Sequence, residues 1–272
     1  MLNFLPDAVE MVHGQQRLFR YVFQPQTPAD EAPRPYFHPV CTLRGVVVTE
    51  FRPPDHRWHH GISFTIPDLG GVNFWGGPTD IPDQGYRMLA NHGRVVHVDW
   101  DAVDGIDKFT HQLHWFDPQG GLLLHETRCI QSTVMNDATW QFDFYTTLSN
   151  RSEQPLVFKA WRAGYGGLFW RGTPAFMRRW LSSSETPIMG RRAPRLYYSS
   201  DSATIILEDQ PENPNFPNAW FSRGDDEGYV GACFGLFYAR PYALSTGGVV
   251  RLHYRLFISD TPLRPEDSTA EV

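Results

Sequence analysis

His56, His59 and His60 fall in one run, Asp55-His56-Arg57-Trp58-His59-His60-Gly61, directly after Pro53 and Pro54. Three of the chain's eleven histidines thus lie within five positions. Imidazole titrates near neutral pH and binds transition metals, so the run points to proton transfer or metal ligation. Extended backbone sends His59 and His60 to opposite faces, one toward a site and one behind it. Asp55 and His56 lie on the loop after the prolines, where a carboxylate can orient an imidazole and fix its tautomer. Two imidazoles within reach of a substrate act as acid and base, each worth about 10²–10⁴-fold. The alternative is a structural cluster tying two loops together by hydrogen bonds.

Further candidates come from the rest of the chain. His125 and Glu126 are adjacent on an apparent strand and face opposite sides. Glu126, with Arg128 on its own side, reads as a general base or as a solvated cross-strand ion pair. The catalytic set is therefore His56, His59, His60, His125 and Glu126. His60 and Glu126 would exchange protons, and His59 or His56 would polarise an oxygen. His38, Trp58, Trp75, His97, Trp170 and Arg171 would hold the substrate by stacking and hydrogen bonding. Trp220 is another platform candidate, while Trp140 and Trp161 sit in alternating apolar rows and read as core. Acid–base chemistry of this kind requires no cofactor. The metal rival draws on His38, His56, His59 or His60, with His125 or Glu126, for an open three-ligand Zn²⁺, Mn²⁺ or Fe²⁺ site. That spacing matches no established ligand motif. Asp80 and Asp83, flanked by Pro78 and Pro82, could belong to a lid.

Totals narrow the function class. The chain has 272 residues with a net charge of -6 and no Lys/Arg-rich stretch, the densest being the pairs Arg178-Arg179 and Arg191-Arg192. A nucleic-acid partner is not expected. Aromatic residues make up 14%, including nine Trp, which suits both β structure and the stacking of flat, weakly polar ligands such as sugars. Cys41, Cys129 and Cys233 are widely spaced and odd in number, which fits reduced thiols in a cytoplasm. Residues 1–7 lack the pattern of a signal peptide, and the longest apolar run, Tyr229 to Ala239, is too short to span a bilayer. A cytoplasmic protein with no membrane partner is the expectation.

Period-two alternation must position these groups. Trp140, Phe142, Phe144 and Leu148 share one face of a strand, and Leu252, Tyr254 and Leu256 oppose Arg251, His253 and Arg255. The same reading predicts strands over 17–23, 45–51, 61–66, 94–100, 107–116, 122–133, 156–163, 195–199, 203–208 and 229–238. Turns at 117–121, 135–138 and 150–155 join successive strands into a meander. One helix is predicted, Pro174 to Leu181, capped by Thr173. The expected fold is all-β: one large antiparallel β-sandwich over residues 1–272 with little helix and a frayed tail after about 265.

Several segments together resemble a known family. They are Arg34-Pro35-Tyr36-Phe37-His38-Pro39, the histidine run, Asn73-Phe74-Trp75-Gly76, Gly93-Arg94-Val95-Val96-His97, Gly166-Gly167-Leu168-Phe169-Trp170-Arg171 and Asn213-Pro214-Asn215-Phe216-Pro217. Their order and spacing resemble the bacterial PmoA-type proteins of unknown function, from about Arg34 to the final strand. The DHxxHHG and GGLxxR elements are the specific ones. The resemblance implies a supersandwich of the galactose-mutarotase-like kind. It also implies a small-molecule carbohydrate as ligand and association with a sugar dehydrogenase. The family's usual label, a methane oxygenase subunit, denotes an integral membrane protein and does not fit this chain. Asn213 stands where the pattern leads one to expect a histidine, which puts a role for that loop in doubt. The functional expectation is a carbohydrate-active enzyme performing epimerisation, mutarotation or elimination beside a keto group. A non-catalytic carbohydrate-binding protein and a metal-dependent enzyme are the alternatives.

Overall fold

Two eight-stranded antiparallel sheets form the protein, seen in a computed structural model that describes residues 1–104, 106–160, 164–182, 187–224, 228–238, 240–265 and 267. The first sheet runs in the order Leu2–Phe4, Ala8–His13, Gln16–Val22, Tyr36–Val40, Ile62–Thr65, Gly167–Gly172, Val230–Gly235, Ala219–Gly224. The second runs Arg178–Leu181, Arg195–Ser199, Thr204–Asp209, Val249–Ser259, Thr139–Asn150, Leu122–Val134, Lys108–Phe116, Arg94–Asp104. Two short ribbons complete the fold, Leu156–Phe158 with Tyr242–Leu244 and Thr79–Ile81 with Gly85–Arg87.

Alternation explains the second sheet directly. Along Leu122–Val134, Leu124, Glu126, Arg128, Ile130 and Ser132 are buried, and the residues between them are partly exposed. Phe109, His111, Leu113 and Trp115 do the same on the neighbouring strand. The inner faces meet through rings: Phe19 lies 6.0 Å from Trp140, Phe37 5.2 Å from Phe142 and Phe64 5.9 Å from Phe144. Burying each large aromatic removes about 150–250 Å² from water, the main force holding the sheets together.

The predicted helix over Pro174 to Leu181 is not formed. Arg178–Leu181 pairs instead with Arg195–Ser199, and Trp180 stacks on Tyr197 at 5.3 Å. Tertiary pairing outweighs the local helix signal. The predicted strand 45–51 is irregular, joined to its neighbours by single bridges and by bonds such as Glu50 N–H to Arg171 O. The predicted strand 156–163 is regular only over Leu156–Phe158, and Trp161 lies outside the described residues, as does the tail except for residue 267. No helix among the described residues is long and apolar enough to cross a membrane.

Candidate functional site

The histidine run crosses from loop to sheet through two tight turns. His56 N–H bonds to Pro53 O and His59 N–H to His56 O, both at 3.0 Å, so the chain doubles back and lays His56 over His59. The two rings stack with centroids 4.7 Å apart and planes 14° from parallel. Gly61 ends the run in a left-handed conformation, φ 52°, and a Cβ there would stand 2.1 Å from Phe37 O. Only glycine lets the strand pass that close.

His56 and His59 open onto a cavity of about 430 Å³. Trp58, Trp75, Tyr165, Phe221 and Tyr229 line its wall, and Tyr86 reaches in from the ribbon Thr79–Arg87. The Tyr86 and Tyr165 hydroxyls stand 3.4 Å apart. Behind Trp58, Gly77 has φ 65°, and a Cβ there would press into the indole at 2.3 Å. Gly76 and Gly77 thus pack directly against Trp58.

Electrostatics distinguish the two imidazoles. His56 Nδ1 donates to Asp55 Oδ2 at 2.6 Å. Arg171 Nη2 donates to both Asp55 oxygens, at 3.2 and 3.1 Å, and its Nε reaches Glu50 Oε2 at 3.3 Å. Burial acts to raise the Asp55 pKa, but the His56 bond and the Arg171 charge outweigh it and hold Asp55 below the usual carboxylate range. His56 is itself held below its ordinary value. Burial is the largest cause and outweighs the Asp55 carboxylate, and Arg171 and Arg223 add to the depression. Both guanidinium groups lie over the Tyr229 ring, at 4.1 and 4.4 Å. His59 is fully buried and its Nδ1 has no hydrogen-bond partner among the described residues. Burial, then the charges of His56, Arg171 and Arg34, keep its pKa well below the ordinary value. Both rings are therefore neutral at pH 7.

The other predicted site residues lie elsewhere. His60 points to the opposite side of the sheet from His59, with Nε2 2.9 Å from Glu31 Oε2 and its ring beside Tyr36 and Phe51. Arg52 closes that cluster on Glu31 at 2.7 Å. His38 lies on the same side, bonded to Thr49 Oγ1 at 3.0 Å and stacked on Phe51. The expected set His38, His56, His59 and His60 is thus split between two faces. Among the described residues no group of three His, Cys, Asp or Glu side chains is placed to hold a metal ion.

Glu126 is not near the pocket at all. It sits between the sheets, accepting from Trp115 Nε1 at 2.7 Å, Thr146 Oγ1 at 2.8 Å and Arg128 Nε at 2.7 Å. Arg128 continues to the Tyr21 hydroxyl at 2.9 Å, Tyr21 to His111 Nε2 at 3.0 Å, and His111 Nδ1 to His97 Nδ1 at 3.0 Å. His97 therefore belongs to a polar chain through the core rather than to a binding wall. His125 lies on the outer face beside His114, ring centroids 5.4 Å apart. The expected proton exchange between His60 and Glu126 has no geometry to support it.

Trp170 is core, its indole N–H donating to Val48 O at 2.8 Å, and Trp220 likewise bonds Ala193 O. Arg171 does not touch the cavity; it braces Asp55 from behind. Trp58 and Trp75 line the cavity. Asn213 clamps the final long strand, bonding both Asp209 and the His253 backbone. Tyr86, Tyr165, Phe221, Arg223 and Tyr229 were not identified from sequence. Three of them do carry a local signal: Tyr86 follows Gly85, Tyr165 sits between Gly164 and Gly166, and Tyr229 follows Gly228, all glycines with positive φ.

Residues 8–272 match a protein family described as a family of unknown function, DUF6807. Among curated proteins none matches the chain. A mutant of the heparan sulfate lyase HepC from Pedobacter heparinus superposes with a TM-score of 0.49 at 9% identity, over 97% of this chain and 37% of the lyase. This chain thus spans just over a third of that enzyme's length. The protein HI1317 superposes with a TM-score of 0.31 at 10% identity, over 95% of this chain and 98% of its own. Neither likeness is close enough to carry an activity across.

Proposed function

We propose that this chain, which belongs to the DUF6807 family, binds a sugar or keto-sugar in the ring-lined cavity and moves a proton on it with the Asp55–His56 pair. The observation that carries this is the braced imidazole: His56 Nδ1 is tied to Asp55 at 2.6 Å, Asp55 is held by Arg171, and His56 faces the cavity. A neutral His56 so oriented leaves Nε2 as a base inside a wall of aromatic faces suited to a pyranose. A volume of about 430 Å³ suits a small ligand. The resemblance to PmoA-type proteins points to the same ligand class, and a sugar dehydrogenase as partner goes with it.

The test is a panel of monosaccharides and the ketones made by oxidising one ring hydroxyl. Binding is read by saturation-transfer NMR, and C–H exchange by signal loss in D₂O. Trp58→Ala should weaken binding, and His56→Ala should abolish exchange while binding persists. No binding by any member, or exchange that survives His56→Ala at the wild-type rate, removes the proposal. The ring lining alone also suits a binding module without chemistry. In that case a sugar binds, Trp58→Ala abolishes binding, and no C–H exchanges.

A further inference from the structure

We infer that His56 and His59 present opposite hydrogen-bond polarities to the cavity, a bare Nε2 on His56 and an Nε2–H on His59, and that the pair is built for a ring ketone flanked by an exchangeable C–H. The inference rests on the sugar reading above and narrows it to keto-sugars.

For His56 the polarity follows from its partner. The Asp55 carboxylate only accepts, so the proton sits on Nδ1 and Nε2 carries the lone pair. For His59 it follows from the lack of one. Its Nδ1 is enclosed with no partner among the described residues. A proton there would bury an N–H without an acceptor, and folded proteins orphan acceptors more readily than donors. The proton therefore sits on Nε2, the nitrogen left to meet a ligand. The near-parallel stack at 4.7 Å adds a constraint, because a second positive ring would lie directly against the first. At most one imidazole carries a charge during turnover.

The step balances without an oxidant or reductant. His56 Nε2 takes the proton from the carbon beside the carbonyl. The C–H electron pair becomes the C=C bond, and the C=O π pair moves to oxygen. His59 Nε2–H donates a hydrogen bond to that oxygen and keeps its proton. Protonated His56 then exchanges its Nε2 proton with solvent and returns one to the same carbon, the C=C pair forming the new C–H bond as the carbonyl re-forms. An oxyanion donor of this kind is worth about 10²–10³-fold in kcat.

Chain labelled with ¹⁵N-histidine and examined by long-range ¹H–¹⁵N NMR tests the polarity without any ligand. His56→Gln and His59→Gln assign the signals. At pH 7 His56 should be the Nδ1–H tautomer and His59 the Nε2–H tautomer. A His59 that carries Nδ1–H, or that is charged at pH 7, overturns the inference. The panel's ketones test the role. His59→Phe should lower kcat for exchange by about 10²–10³-fold, and His59→Gln, which can offer an amide N–H, should recover part of it. Exchange at the wild-type rate in His59→Phe overturns the inference and leaves the Asp55–His56 proposal standing. Correct tautomers with no exchange on any ketone remove the ketone class and the function proposed above, and leave only the polarity of the pair.

Discussion

Arg128→Met is the change that most sharply separates the core from the site. Arg128 and Glu126 are 1% and 0% exposed and form a bidentate pair, with Nε to Oε1 at 2.7 Å and Nη2 to Oε2 at 3.0 Å. Among the described residues, removing the guanidinium leaves a carboxylate between two sheets with the Trp115 indole and the Thr146 hydroxyl as its remaining donors. An uncompensated buried charge costs about 3–5 kcal/mol. The two surviving bonds, each charge-assisted, place this variant at the lower end of that range. In a chain of this size about 1 kcal/mol moves Tm by roughly 2–4 °C, so a fall of about 6–15 °C is expected. Glu126→Gln/Arg128→Met removes both charges together and should be less damaging than Arg128→Met alone. Chemical denaturation of the wild type, both single variants and the double variant closes the cycle and reads the coupling directly. Ligand binding and C–H exchange, measured on folded protein, should be unchanged throughout. A Tm change within about 1 °C for Arg128→Met, or exchange lost in the stable double variant, refutes the placement of Glu126 as structural.

Three further outcomes follow from the geometry. Gly61→Ala puts a Cβ 2.1 Å from Phe37 O at a positive φ and should yield little folded protein on expression, whereas Gly14→Ala, with open space around it, should fold. His60 has its pKa lowered to about 4, with burial the main cause, against 6.5 when unfolded. As pH falls from 6.5 to 4 the unfolded chain takes up a proton that the folded chain refuses, so stability is lost over that window, by roughly 3 kcal/mol from this residue. Denaturation midpoints between pH 4 and 7 should show a shallower slope in His60→Gln than in the wild type. Arg171→Lys keeps the charge but loses the fork that holds Glu50 and Asp55 together. A charge-assisted hydrogen bond is worth about 1.5–3 kcal/mol, so exchange should slow by roughly 10–150-fold with KM little changed.

The second sheet was readable because its strands bury one face. Trp140, Phe142, Phe144 and Leu148 alternate with polar residues, and alternation states which way each side chain points. The same rule sent His59 and His60 to opposite sides, which is where they lie. Alternation is silent about what waits on each side. It identified Glu126 and Arg128 as sharing a face without showing that the face is the interior. The burial of that pair depends on Tyr21, more than a hundred residues away, whose hydroxyl accepts an N–H of Arg128. No local pattern encodes such a meeting.

The site was half legible for the same reason. Asp55, His56, His59, Trp58 and Trp75 lie within one stretch of chain, and a stretch rich in rings and imidazoles marks itself. Tyr165, Phe221 and Tyr229 come from the far side of the first sheet, brought there because Gly167–Gly172 pairs with both Ile62–Thr65 and Val230–Gly235. Arg171 joins the two halves. Its backbone bonds Gly61 O and Glu50 N–H, and its side chain reaches back to Asp55. One strand therefore sets both the position of the cavity's far wall and the orientation of its base. This explains why Arg171, which never touches the cavity, is where a small change in geometry should reach His56 most directly.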